Sequence, residues 1–215
     1  MALFLLIALP LFMVFVLSFS RFTARDMYVF LEGTLIGVIG IILVYVTRRL
    51  WQVSYRTLNL YIHNTAIDIL IPQALLLVTF YLSNRKVAYR GGIDVEEIFF
   101  NLVDFSCGFY FILSISDFLR SYDSHDIFLL IFIPLIRIIL LTSTGLLLKY
   151  FLGNTTKNKL LIFAGYFFYL LLIGGIELAY YVNYKEILVA SVVILFLSNL
   201  FGLVRLLGSA SISYK

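Results

Sequence analysis

Glu97, Asn101, Asp104 and Gly108 recur at steps of four, three and four residues, a spacing that sets them along one side of a helix. The run they interrupt, Ile98 to Ser116, is otherwise almost wholly apolar. Acids and amides in such a setting can hold a cation, relay protons or line a wet path, and a carboxylate turned toward hydrocarbon is very costly. The stripe is therefore expected to face protein or water. Arg137 is the second such group. It falls about halfway along the apolar run Ile127 to Tyr150, too deep to reach water by extending its stem. A guanidinium cannot shed its charge, so it needs a carboxylate, backbone carbonyls or a water cavity. Asp104 on the preceding run is the expected partner, with Asp68 and Glu177 as alternatives. Such a network has two readings. Structurally, it is a buried pair that fixes helix register; functionally, it is a path for an anion, a proton or a lipid headgroup.

Other chemistry-bearing residues have simpler explanations. His125 lies between Asp123 and Asp126 and could hold a cation weakly or titrate near neutral pH, but a solvated loop is the preferred reading. His63 reads as an interfacial residue. Cys107, one turn from Asp104, reads as a small packing residue. Asp94 can cap the helix that follows, and Glu96 and Glu97 then fall in its first turn, where the helix dipole favours carboxylates. One cysteine excludes an internal disulfide, and one cysteine with two histidines argues against a zinc set. No nucleotide-binding motif is present, and no cofactor or metal is expected.

The elements that must position these groups follow from composition. Of 215 residues, 62% are hydrophobic and 13% charged, and the mean hydropathy is +1.04. Soluble domains carry nearly twice that charge fraction, so the solvent for most of this chain is lipid. The net charge of +4 is modest, and the basic residues sit mostly between apolar runs. They read as topology signals and headgroup contacts, which argues against a nucleic-acid partner. Phe (21) and Tyr (15) are abundant, as lipid-facing surfaces and interfacial belts require.

The fold class expected is all-α, a single integral membrane domain over 1–215, built as a polytopic transmembrane helix bundle of six or seven spans. Met1 to Ser20, with Pro10 inside it, is expected to be a retained first span, since no basic residue precedes it. Met27 to Thr47 is the second. Its Gly33 and Gly37 form GxxxG, which admits a close neighbour; packing within the chain is the simpler use, a dimer face the alternative. Arg48 to Leu60 is polar and aromatic and suits a segment lying in the interface. Asn64 to Leu82 contains Asp68, Pro72 and Gln73. A proline kinks a helix, and polar groups around the kink can satisfy the freed carbonyl, so this run is either a bent span or a re-entrant hairpin. Ile98 to Asp117, Ile127 to Tyr150, Leu160 to Val182 and Ile187 to Val204 complete the set. Gly174 and Gly175 in the sixth run are further helix-packing candidates.

Counting Lys and Arg outside the spans orients the bundle. With seven crossings and the N-terminus outside, ten lie inside (Arg21, Arg25, Arg85, Lys86, Arg90, Lys149, Lys157, Lys159, Arg205, Lys215) and five outside (Arg48, Arg49, Arg56, Arg120, Lys185). If Asn64 to Leu82 only dips in and the N-terminus is inside, the count becomes eleven to four. Both obey the positive-inside rule. Both put the loop around His125 outside and the C-terminus on the cytoplasmic side, or the matrix side in an organelle.

Two local likenesses exist. Phe100-Asn101-Leu102-Val103-Asp104-Phe105 followed by an arginine-bearing run resembles the third and fourth helices of voltage-sensor domains. That family repeats a basic residue every third position, whereas Arg137 is followed by Leu140, Ser143 and Leu146, so no gating role carries over. Glu96-Glu97 resembles the glutamate pair of CAAX-processing membrane proteases. Here it continues Ile98-Phe99-Phe100-Asn101 without the basic residue or the later histidine of that family. Three function classes remain. One is a transport or channel-like, or substrate-binding, membrane subunit for a small solute, ion or lipid, using Asp104, Arg137, Asn101, Glu97, Asp68 and Glu177. Another is a non-catalytic subunit of a larger membrane complex, with partner membrane subunits on its glycine faces. The last is a membrane-embedded hydrolase using Glu96 and Glu97 with His125. An enzyme is the less favoured.

Overall fold

The computed structural model describes residues 24–51, 57–88, 95–121, 133–153, 156–182 and 184–212. Within them every regular element is helical. The expected first span at Met1 to Ser20 and the acidic loop around His125 lie outside the described residues.

The helices are α1 (Ala24–Leu50), α2 (Thr57–Asn64), a π-helical stretch (Thr65–Leu70), α3 (Ile71–Ala88), α4 (Val95–Ser121), α5 (Ile133–Gly153), α6 (Thr156–Tyr181) and α7 (Lys185–Ile212). Their ends follow local chemistry. α1 carries Asp26 in its first turn and Arg48 and Arg49 in its last, charges that complement the backbone dipole. Arg48 and Arg49 thus close a helix, and Leu58 to Leu60 open another, where the sequence suggests one interfacial segment from Arg48 to Leu60. α5 runs from Ile133 and carries Pro134 in its first turn. A proline is tolerated there because the N–H it withholds has no helical partner.

α2, the π stretch and α3 follow one another without a break. The Asn64 to Leu82 run is therefore a continuous helix with a widened turn, and it does not reverse as a hairpin would. In the widened turn the Ile71 N–H donates to the Ala66 carbonyl, five residues back.

α4 is the central helix. It packs along α1 and also meets α3 and α5, while α5 touches α6 and α7, and α6 closes back onto α2 and the π stretch. Phe105, Phe109, Tyr110 and Leu113 of α4 form the core with Leu76 and Phe80 of α3, Ile139 and Leu140 of α5 and Ile173 of α6. Phe80 meets Phe105 edge-on at 5.7 Å.

The α1–α4 contact depends on missing side chains. A methyl group at Gly33 would sit 2.8 Å from the Phe105 carbonyl carbon, one at Gly37 would sit 2.9 Å from the Phe109 oxygen, and one at Gly108 would sit 3.0 Å from the Thr34 nitrogen. The two backbones approach as small residues allow, and GxxxG is occupied within the chain. A methyl at Gly174 would meet the Thr65 side chain, whereas one at Gly175 would meet nothing within 4 Å.

Several polar residues lie inside with the apolar core, and many large apolar ones lie outside. Gln73, Asn101, Asp104, Arg137 and Thr144 are buried, while Leu35, Ile42, Val78, Leu160, Phe168 and Ile194 are exposed. Continuous apolar surface on this scale marks a membrane or a partner. Three helical stretches, Arg25–Leu50, Leu58–Ser83 and Asn158–Tyr180, are long and apolar enough to cross a bilayer by length and composition, which is compatible with a membrane protein.

Candidate functional site: a buried polar seam at a helix break

The seam begins with Pro72. It has no N–H, and in an α-helix its donor would have served the carbonyl four residues back, that of Asp68. That carbonyl instead accepts Arg137 Nη1 at 3.1 Å. Arg137 comes from the first turns of α5 and is only 8% exposed. Its Nε donates to Asp117 Oδ2 at 3.1 Å, closing an ion pair between α5 and α4. The Asp68 carboxylate pairs with Arg48 at the end of α1. One residue of the widened turn is thus held twice, by its side chain to α1 and by its carbonyl to α5.

A second set of bonds runs beside the first. Tyr110 OH of α4 donates to Gln73 Oε1 of α3. Gln73 Nε2 donates to Thr144 Oγ1 of α5 at 2.7 Å. The threonine hydroxyl spends its own hydrogen on the Leu140 carbonyl at 2.6 Å, so Tyr166 OH of α6, 3.0 Å away, must donate to it. The Gln73 amide, 1% exposed, joins α3, α4 and α5, and Thr144 adds α6. Tyr61 OH ties α2 to the Leu171 carbonyl of α6 at 2.8 Å, and Asn199 Nδ2 of α7 reaches Tyr169 OH of α6.

The sequence points to Asp104 as the partner of Arg137, and this is corrected: the ion pair is with Asp117. The reason is depth as well as angle. Thirteen residues separate the two acids along α4, which puts them about 20 Å apart along the helix and roughly 140° apart around it. Asn101, Asp104 and Gly108 form one polar face, and its Gly108 packs on the α1 backbone at Phe30 and Thr34. Tyr110, Ser114 and Asp117 form another, at steps of four and three, and it faces α3 and α5 through the bonds above. The Ser114 hydroxyl there is buried without a hydrogen-bond partner among the described residues. Asp68 contributes to Arg137 through its carbonyl while its carboxylate serves Arg48. The side chains of Glu97, Glu96 and Glu177 lie outside those described.

Sequence reasoning does not single out Asp117, Tyr110, Thr144 or Tyr166. The Thr142-Ser143-Thr144 cluster inside an apolar run, paired with Gln73 beside a proline, is the available signal, since neutral hydroxyls do not lower the hydropathy of a run much. Among the described residues no group of three or more His, Cys, Asp or Glu could hold a metal ion. The seam can bind or orient a small polar species or transmit a helix movement, and it offers no nucleophile beside a base among the described residues. No protein-family model, curated protein or solved structure matches this chain.

Proposed function

We propose that the chain is a polytopic membrane protein of six or seven spans that binds or passes a small solute or ion along the polar seam between α3, α4 and α5. The observation that carries this reading is Arg137, buried with Asp117 against the carbonyl that Pro72 leaves open. Ionisable groups inside spans are rare and recur along substrate and ion pathways. Widened π turns recur at functional sites, and irregular backbone at membrane depth is tolerated where it is covered by protein or lines a wet cavity. The unbroken run from α2 to α3 favours the arrangement with seven crossings, the N-terminus outside and the C-terminus inside. A second reading, as a subunit of a larger membrane complex, draws on Gly165 and Gly175 of α6, where a methyl would meet nothing within 4 Å and another helix could approach closely.

Thiol accessibility separates the two. In a Cys107→Ser background, Ser114→Cys and Thr144→Cys are exposed to a charged, membrane-impermeant methanethiosulfonate in sealed proteoliposomes. A solute path predicts modification from one side, faster than at the buried apolar control Leu170→Cys. If all three positions react equally slowly while unfolded protein reacts fully, the path reading fails. In that case the protein should co-purify with partner subunits.

A further inference from the structure

α1 has two unlike faces. Gly33, Gly37 and Gly40 point into the bundle, toward Phe105 and Phe109 of α4. On the other side Leu35, Val38, Ile42, Tyr45 and Arg49 recur at steps of three, four, three and four, and all five are exposed. This stripe is bulky and apolar for roughly 15 Å at 1.5 Å per residue. It ends on a phenol hydroxyl and a guanidinium. The two terminal arginines differ. Arg48 is ion-paired with Asp68, whereas Arg49 has no hydrogen bond or ion pair among the described residues. Trp51, the single tryptophan of the chain, follows directly, 43% exposed, and stands edge-on to His63 at 5.4 Å.

We infer that this face of α1 is a binding site for an anionic phospholipid. The headgroup phosphate takes the planar fork of Arg49, which matches two phosphate oxygens. The Tyr45 hydroxyl, one turn before Arg49 on the same face, is a further donor, and Trp51 lies at the same level, where aromatic residues meet headgroups. One acyl chain lies along Ile42, Val38 and Leu35. A second helix is the poorer occupant, because helices associate in membranes through small residues and the glycines of α1 are all turned to the other side. A zwitterionic lipid is also poorer, since Arg49, with no ion pair among the described residues, favours a net negative headgroup. The inference requires that α1 cross the bilayer but does not depend on the polar seam.

Trp51 reports on the site without labelling. The full chain is reconstituted in phosphatidylcholine vesicles containing a small fraction of dibrominated phosphatidylcholine or dibrominated phosphatidylglycerol, and Trp51 fluorescence is followed. The site predicts that the anionic lipid quenches at a mole fraction about fivefold lower, the worth of one basic residue near an anionic surface. Arg49→Gln should abolish the difference, and Arg49→Lys should keep part of it. Equal quenching by both lipids in the wild type overturns the site, and so does a preference that survives Arg49→Gln. Quenching by neither lipid also overturns it, with another chain covering the face or Trp51 lying away from the bilayer. Thiol accessibility at Ser114 and Thr144 is unaffected by any of these results, so failure here is distinguishable from failure of the pathway.

Discussion

Arg137→Leu is expected to be strongly destabilising, and Pro72→Ala is expected to return part of the loss. The guanidinium does two things. It neutralises Asp117, whose side chain is 15% exposed, through a 3.1 Å bond, and it donates to the Asp68 carbonyl at 3.1 Å. Removing one partner of a buried ion pair costs about 3–5 kcal/mol, and orphaning a buried acceptor costs about 1–3 kcal/mol. Pro72→Ala supplies an N–H at the position from which a helix would serve Asp68. In the Arg137→Leu background this substitution should restore the carbonyl's bond while leaving Asp117 stranded. Interhelical hydrogen bonds in membranes average about 0.6 kcal/mol and reach about 1.7 kcal/mol in double-mutant cycles. A coupling energy of that size, with the double variant more stable than the sum of the singles, is therefore expected. Reversible unfolding in mixed micelles, or steric trapping, reads all four members of the cycle. Asp117→Asn should give an independent partial rescue by removing the stranded charge. Additivity within about 0.3 kcal/mol for the Pro72–Arg137 pair would refute the argument that the arginine stands in for the missing backbone donor.

Three further outcomes follow from the packing. Gly33→Ala and Gly108→Ala each drive a methyl into backbone of the facing helix and should cost about 1–3 kcal/mol, whereas Gly175→Ala, with open space beside it, should be neutral or slightly stabilising in the same unfolding assay. Gln73→Leu strands the Tyr110 hydroxyl and takes one donor from Thr144, which keeps the Leu140 carbonyl and Tyr166, and should cost about 1–3 kcal/mol for the stranded donor, while Gln73→Glu should be milder if the acid enters protonated. Cys107 is 2% exposed, so a water-soluble maleimide should label it only after unfolding, and labelling of the folded protein at the unfolded rate would contradict the position of α4.

The helical class is legible because apolar runs longer than a bilayer needs leave few alternatives for the backbone. That Arg137 requires a buried partner follows from its charge alone. Which acid supplies it does not, because the answer turns on depth along the helix. The run read from the sequence, Ile127 to Tyr150, places Arg137 halfway along it and makes Asp104 the acid at matching depth. In α5 the arginine instead follows Pro134 closely and sits near the end of α4 that carries Asp117. On hydropathy that acid reads as the start of a loop. The Gln73–Thr144–Tyr110–Tyr166 joint escapes for a different reason. Each of these residues fits within an apolar run on hydropathy, and only tertiary geometry shows that their polar atoms converge. Asp68 is half legible: the proline four residues on frees its carbonyl, but sequence does not say that its carboxylate and its carbonyl serve different helices.

That division at Asp68 gives the seam its mechanical character. α2 and the π stretch are fastened to α6, through Tyr61 on the Leu171 carbonyl and Thr65 against Gly174. α3 is fastened to α4 and α5 through Gln73, and to α1 through Glu32 and Ser83. The two halves of one continuous rod thus belong to different neighbours, and the widened turn lies where they join. A π turn holds one residue more than an α turn, and such turns, like prolines, are where helices bend. Arg48 and Arg137 grip the join from opposite sides. A packed interior moves between discrete arrangements more readily than it deforms continuously, and a join held by two charged contacts has a defined way to release. Under the proposed function, a solute that competes for either arginine would loosen the rod where its halves meet and would couple occupancy of the seam to movement of α2 and α6 against α1, α3 and α4.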